Sequence, residues 1–387
     1  MALRTAIFCA LLGLSASLEI PKYEGCDVEY SKFASTYKYD YELYGNRSSM
    51  MDRKQLFCNT LRSVEAHNAL ARAGNSSYSQ GINQFADWHA DELSAYANGV
   101  RFNEEQDKLL LFEKPGEYTL EANADFRSRM PAIKNQGQCG SCWAFGAVDV
   151  VDFYGGSHSE QQVLDCAPGQ GCNGGDPRQA LQYLSKHVSN TEASYKYKGR
   201  KGTCQQKTSG AKVSSVRAVG STEAALASAA AKQVVSIAIS FARGPDTSFM
   251  RYKSGVFDGV CQNNEAGGHA IATVGIKTDY YIVRNSWGSS WGMGGYAYIK
   301  RGKNICKLAQ HSTVAKAAKS AATIAADHPN DNCNYVCSPQ SGFGPPATCP
   351  GSRQCSECCF GSTDPDHKKK CPNGMSFGPG GCECVCA

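Results

Sequence analysis

A cysteine at position 142 lies where a thiol can become a nucleophile. From Cys142 to Tyr154 the apolar side chains recur at near-helical spacing, which predicts a helix that begins at Cys142. The positive end of a helix dipole and its unpaired N–H groups favour a thiolate over a thiol. A neighbouring imidazolium would lower the pKa of that thiol further. Cys142 is therefore a candidate for nucleophilic catalysis.

The same cysteine belongs to a C-x-x-C sequence with Cys139, which elsewhere marks a redox pair or half of a zinc site. A thioredoxin-like motif needs a preceding apolar strand, whereas residues 127–138 are polar and turn-like. The chain has 20 cysteines, and Cys9 falls within a removable leader, so an odd number remains. An odd number predicts at least one free thiol. The redox and zinc interpretations stay open, and the free nucleophile is favoured.

The sequence around Cys142 resembles the papain family of cysteine proteases. The run Cys139-Gly-Ser-Cys142-Trp is the signature of that family, which also carries a histidine and an asparagine about 130–150 residues downstream. Here His269 follows two glycines, and Asn285 opens the sequence Asn-Ser-Trp-Gly. Both lie next to apolar, β-branched segments that predict strands.

The resemblance implies a role for each residue. Cys142 attacks the peptide carbonyl as a thiolate, and His269 pairs with it and then protonates the leaving amine. Asn285 orients the imidazole by accepting a hydrogen bond from its second N–H, and Trp287 shields that bond from water. The side-chain amide of Gln136 and the backbone N–H of Cys142 form the oxyanion hole. No cofactor and no metal ion is expected.

The resemblance also implies disulfides and a substrate cleft. Sequence alone does not select a connectivity, and the family pattern pairs Cys139 with Cys172, Cys166 with Cys204, and Cys261 with Cys306. Gly174 and Gly175 lack side chains, so an extended substrate backbone can pair with them.

The pocket for the substrate's P2 residue maps onto Pro177, Ala238, Gly267, Ala270 and His311. Most of these lining residues are small, which predicts a pocket large enough for a bulky apolar or aromatic P2 residue. His311 is expected to add a pH-dependent tolerance of acidic groups. The sequence carries no insertion with paired histidines of the kind found in exopeptidase relatives, which favours an endopeptidase.

The segment before Cys142 resembles the pro-region of the same family. Residues 49–68 predict a helix that places Arg53 and Phe57 on one face, and residues 81–87 read Gly-Ile-Asn-Gln-Phe-Ala-Asp. An amphipathic core helix of one continuous domain is the alternative, and the second motif favours an inhibitory propeptide. Residues 18–118 hold 16 acidic and 11 basic side chains, whereas residues 119–327 hold 14 and 24. Opposite charges favour docking of the two parts.

The two ends of the chain indicate its compartment. Residues 1–17 combine a basic start, a short apolar run and small residues, which is typical of a secretory signal. Asn46 and Asn75 begin glycosylation sequons. Ten cysteines between positions 333 and 386 lie among Gly, Pro and Ser, so disulfides must hold this part, with zinc as the rival interpretation. We expect the chain to enter the secretory pathway and to reach either the outside of the cell or a lysosome- or vacuole-like compartment.

These observations predict an α+β protein with a papain-like two-lobed fold, a helical lobe plus an antiparallel β-barrel lobe. The predicted segments are a signal peptide (1–17), an inhibitory propeptide (18–120), a catalytic domain (121–314), a linker (315–330) and a cysteine-rich module (331–387). Expected partners are protein and peptide substrates, the chain's own propeptide and cystatin-like inhibitors. Because the Lys and Arg residues are scattered, we expect no nucleic-acid binding. No apolar stretch after the N-terminus is long enough to cross a membrane, so we expect no membrane span. A catalytically idle scaffold that binds partners through its tail is the alternative.

Overall fold

The computed structural model describes residues 25–37, 50–97, 99–102, 123–169, 171–205, 213–240, 248–259 and 268–317. The predicted signal peptide and cysteine-rich module lie outside these residues, as do Asn46, Cys261 and Gly267. No described helix is long and apolar enough to cross a bilayer.

The N-terminal part is mainly helical. It contains helices α1 (Asp27–Tyr37), α2 (Met50–Arg72) and α3 (Ala90–Ala97), with strand β1 (Tyr78–Gln80) between the last two. Helices α1 and α2 bury a small aromatic cluster and are joined by a disulfide between Cys26 and Cys58. The buried Arg53 of α2 pairs with Glu92 of α3 and donates a 3.0 Å hydrogen bond to the Asp87 carbonyl oxygen. Arg53 thus connects the two pro-region motifs.

Four further helices belong to the predicted catalytic domain. They are α4 (Cys142–Asp152), α5 (Glu160–Cys166), α6 (Pro177–Lys186) and α7 (Glu223–Ala230). Helix α4 begins at Cys142, as the apolar spacing predicts, and every one of its residues is buried. Side chains cap the other three: Ser159, Asp176 and Thr222 each accept a hydrogen bond from a backbone N–H of the first turn.

The strands form a sheet in the order β1-β5-β8-β7-β6-β4-β9-β3, with β2 paired to β6. Their bounds are β2 (Ala124–Asp125), β3 (Val213–Ala218), β4 (Val235–Ser240), β5 (Tyr252–Phe257), β6 (Gly268–Ile276), β7 (Tyr280–Arg284), β8 (Tyr296–Lys300) and β9 (Thr313–Ala317). The sheet is mostly antiparallel, but β5 and β8 pair in parallel. In the sequence β6 and β7 lie between these two strands, so no tight hairpin turn forces β5 and β8 to be antiparallel.

Strand β6 lies between two apolar clusters. Ile271 and Ile276 face the cluster built on the sheet and α7, whereas Ala272 and Val274 face the cluster built on α4, α5 and α6. Successive residues of a strand point to opposite faces, and a register shift between Thr273 and Gly275 resets that alternation. The strand that carries His269 is therefore fixed from both sides.

Candidate active site

The thiol of Cys142 is buried at the first residue of α4. Among the described residues it is the free cysteine. Burial raises the pKa of this thiol to about 11, although the nearby backbone of Ala270, Gly99 and Trp143 lowers the pKa in part. The sequence predicts a thiol acidified by the helix dipole. In this structure the loss of solvent outweighs that dipole.

His269 lies on β6 directly before Ala270, which packs with Cys142. Its Nε2 is 2.8 Å from the Asn285 Oδ1, and the same oxygen accepts a 2.8 Å hydrogen bond from the Ser286 N–H. Since Asn285 Oδ1 only accepts, Nε2 must carry the ring proton. Nδ1 is therefore the basic nitrogen of this imidazole.

Trp287 covers the histidine–asparagine pair. Its ring lies 4.5 Å from the His269 ring at 30° and is fully buried. Burial lowers the pKa of His269 to about 4, and the hydrogen bond to Asn285 raises it only in part. Burial therefore favours the neutral form of both the thiol and the imidazole.

Gln136 is fully buried, and its side-chain amide is held at both ends. Its Oε1 accepts a 2.6 Å hydrogen bond from the Ser286 hydroxyl. Its Nε2 donates to the carbonyl oxygens of Cys139 at 2.9 Å and of Tyr96 at 3.5 Å. Tyr96 belongs to α3 of the N-terminal part, so a propeptide carbonyl oxygen contacts the amide that the sequence assigns to the oxyanion.

A short N-terminal segment, residues 99–102, lies across the cleft. Gly175 donates a 2.9 Å hydrogen bond to the Gly99 carbonyl oxygen and accepts one of 2.8 Å from the Arg101 N–H, in a parallel bridge. The Val100 N–H donates to the Gly268 carbonyl oxygen at 3.1 Å. Gly174, with φ of +112°, lies beside the Gly99 carbonyl, where a Cβ would approach its oxygen to 2.9 Å. The predicted substrate strand site is thus filled by the chain's own backbone.

The predicted P2 pocket residues surround the side chains of this segment. Val100 packs with Cys142, Ala238 and Ala270, and Phe102 packs against that cluster. The Phe102 ring stacks on His311 with centroids 3.7 Å apart. Burial first, then the charge of a nearby arginine, lowers the pKa of His311 to about 4.

That arginine is Arg178, which the sequence analysis missed. Its guanidinium lies 4.3 Å above the Phe102 ring and pairs with Asp176 at 3.1 Å. Pro177, the buried first residue of α6, directly precedes it. The Phe102 ring therefore contacts both an imidazole and a guanidinium, and the guanidinium makes a favourable cation–π interaction with it. Its position directly after Pro177, a predicted pocket residue, was the available signal.

The disulfides hold the loops that frame the cleft. Cys139 is bonded to Cys172, and Cys166 is bonded to Cys204. Cys306 is also disulfide-bonded, and its predicted partner lies outside the described residues. Asn75 is exposed in the turn after α2.

Comparisons with known proteins agree with this geometry. Residues 120–316 match the papain family cysteine protease domain, and residues 30–93 match the cathepsin propeptide inhibitor domain. Papain from Carica papaya is 35% identical over 278 residues, which cover 67% of this chain and 78% of papain. Procathepsin L from Mus musculus is 30% identical over 329 residues, which cover 78% of this chain and 96% of that protein.

A solved structure has the same architecture. The digestive procathepsin L2 proteinase from Tenebrio molitor larval midgut superposes with a TM-score of 0.67 at 29% identity, covering 75% of this chain and 99% of that one. The fold and site thus define a cysteine protease precursor with its inhibitory segment in place. The chain belongs to the papain family of cysteine proteases, and it is a cysteine endopeptidase made as a zymogen. Its fold is the predicted two-lobed papain-like fold with a helical propeptide.

Gly99 leaves no room for a side chain above the nucleophile. A Cβ at this position would lie 2.5 Å from the Gly140 carbonyl oxygen and 2.8 Å from the Cys142 sulfur. Gly99→Ala should therefore displace the segment and speed activation on acidification about tenfold, since such overpacking costs about 1–3 kcal/mol. The rate of onset of peptidase activity measures this.

Gly81→Ala is the matched control in the same propeptide. The atoms nearest to its Cβ would be side-chain atoms of Lys253 at 3.2–3.4 Å, with no backbone atom among them. We expect this variant to activate at the wild-type rate. Equal activation of Gly99→Ala and wild type would contradict a tight fit above Cys142.

Proposed function

We propose that the mature enzyme hydrolyses peptide bonds through Cys142, His269, Asn285 and Gln136. The hydrogen bond between His269 Nε2 and Asn285 Oδ1, on the strand whose next residue, Ala270, packs with Cys142, is the observation that carries this assignment. It leaves Nδ1 as the nitrogen that exchanges a proton with the thiol.

The chemistry follows from these positions. Once solvent reaches the site, Cys142 transfers its proton to His269 Nδ1 and attacks the peptide carbonyl carbon as a thiolate. The amide of Gln136 and the backbone N–H of Cys142 donate to the carbonyl oxygen as it becomes negative. The imidazolium then gives its proton to the leaving amine, and an acyl-enzyme forms. Water, deprotonated by His269, hydrolyses the thioester and restores the thiol.

The propeptide, which we assign to residues 18–120, inhibits this reaction by filling the cleft. The match of residues 30–93 to a propeptide inhibitor domain supports the assignment, and so does the contact of residues 99–102 with Gly175. The match of residues 120–316 supports a catalytic domain near 121–314, before the proposed linker and cysteine-rich module. A cleft that accepts an extended segment also suits cystatin-like inhibitors as partners.

We further propose that the chain enters the secretory pathway and works outside the cell or in a lysosome- or vacuole-like compartment. The leader-like residues 1–17 and the disulfides support this. The exposure of Asn75 suits its proposed glycosylation.

Phe102 indicates what the substrate pocket prefers. Its ring lies between His311 and Arg178, so we propose an aromatic or other bulky apolar residue at P2. Because the pKa of His311 lies near 4, its charging falls below pH 5 in this state. Phe102 covers His311 and leaves with the propeptide, so a pH-dependent tolerance of acidic groups stays a proposal for the mature enzyme.

Thiol labelling tests the proposed catalytic site. After acid activation, an epoxide reagent should modify Cys142, as read by peptide mapping, and abolish peptide hydrolysis. Cys142→Ala should lose at least about 10³-fold in kcat/KM, because the covalent step has no nucleophile. Peptide hydrolysis by Cys142→Ala at the wild-type rate would contradict the assignment and favour the idle scaffold.

A P2 peptide library tests the pocket. Wild-type mature enzyme should favour Phe and Tyr over Ala and Gly. Arg178→Met should lower kcat/KM for a Phe substrate about two- to fivefold, since it removes a cation–π contact of about 0.5–1 kcal/mol. A Leu substrate is the control and should change little. Equal losses for Phe and Leu, or a preference confined to Ala or Gly, would refute the proposal.

A further inference from the structure

A tyrosine outside the catalytic group connects two residues of the site. The hydroxyl of Tyr197 donates a 2.8 Å hydrogen bond to the backbone carbonyl oxygen of Gln136. The same hydroxyl oxygen lies 2.6 Å from the Ser141 Oγ. Gln136 carries the proposed oxyanion amide, and Ser141 directly precedes Cys142, whose N–H is the second proposed donor. One phenol therefore touches both ends of the loop from 136 to 141.

The directions of these two bonds follow from donor chemistry. A carbonyl oxygen only accepts, so the single phenolic proton of Tyr197 is used on Gln136. The Ser141 hydroxyl then donates to the Tyr197 oxygen at 2.6 Å, which is closer than its other acceptor, the Cys139 carbonyl oxygen at 3.4 Å. The result is a chain from Ser141 through Tyr197 to Gln136, and consecutive bonds of this kind polarise and strengthen one another.

Tyr197 is itself held in place. Its ring packs edge-to-face on Phe145 of α4, with centroids 5.0 Å apart. Its backbone N–H donates a 2.9 Å hydrogen bond to the Glu192 Oε1. The phenol is thus fixed relative to the helix that carries the nucleophile.

We propose that Tyr197 is a positioning residue for the oxyanion hole. It fixes the backbone at Gln136 and Ser141 so that the Gln136 amide and the Cys142 N–H converge on one point before substrate binds. The inference rests on the proposed roles of Cys142 and Gln136. Donors arranged in advance stabilise charge that develops in the transition state, so their loss lowers kcat rather than raising KM.

The variant Tyr197→Phe, made as the full chain and then activated with acid, tests this. The ring and its packing remain, and only the hydroxyl is lost. We expect kcat for a peptide substrate to fall about tenfold with KM within about twofold, as for the loss of one or two neutral hydrogen bonds. The rate and pH profile of Cys142 alkylation by iodoacetamide should stay within about twofold, since alkylation develops no oxyanion.

Tyr195→Phe is the matched control two residues away. The Tyr195 hydroxyl donates to the Asp165 carboxylate at 2.7 Å, away from Gln136 and Ser141. We expect this variant to keep its kcat within about twofold of wild type, although it loses a hydrogen bond to a charged group, which is at least as strong as the bonds that Tyr197→Phe removes.

Three results would overturn the proposal. They are an unchanged kcat in Tyr197→Phe, a parallel loss of kcat and alkylation in Tyr197→Phe, and an equal loss of kcat in Tyr195→Phe. If wild-type enzyme itself showed neither alkylation at Cys142 nor hydrolysis, the catalytic assignment would fail instead. Should Tyr197→Phe not fold, Ser141→Ala removes one of the two bonds and should lower kcat about threefold at constant alkylation. An unchanged kcat in Ser141→Ala would then count against the proposal.

Discussion

The contact of the Gly99 backbone with the Cys142 sulfur is the constraint on which the zymogen depends. A backbone segment can lie this close to the nucleophile only because Gly99 has no side chain. Its carbonyl oxygen and the next N–H groups then pair with Gly175 and Gly268, where a substrate would otherwise bind. The segment packs on the thiol through Val100, and burial favours the neutral form of both the thiol and the imidazole. Inhibition therefore acts on the chemistry of the pair as well as on access to it.

The rest of the propeptide holds this segment in register. Strand β1 adds to the edge of the sheet beside β5, and Asn83 donates a 2.8 Å hydrogen bond to the Met250 carbonyl oxygen. Phe85 and Tyr96 pack on Trp287, the residue that covers His269, with centroids 5.2 and 5.8 Å away. Phe102 contacts His311 and Arg178 beyond Cys142. The attachment points thus lie on both sides of Cys142, so residues between them are drawn across the cleft.

Local sequence signals predicted helices and strands, whereas contacts between residues far apart in the chain could not be predicted from them. Apolar spacing located the start of α4, and the first pro-region motif located α2. The neutral state of Cys142 could not be read from its helix position, because it depends on Gly99, more than forty residues earlier in the chain. Arg178 and Tyr197 carry no motif of their own. Their roles appear only when the loops that contain them meet Phe102 and Gln136.

The most direct measurement is the titration of the Cys142 thiolate by its ultraviolet absorbance, taken as the difference between the intact zymogen and its Cys142→Ser variant. Absorbance is independent of reagent access, so it reports the pKa of the thiol alone. A thiol with a pKa raised to about 11 stays protonated below that pH. The zymogen should therefore show no Cys142 thiolate signal between pH 6 and pH 9, and the signal should emerge in that range once the propeptide is removed. An equal thiolate signal in zymogen and mature enzyme near pH 7 would contradict this account.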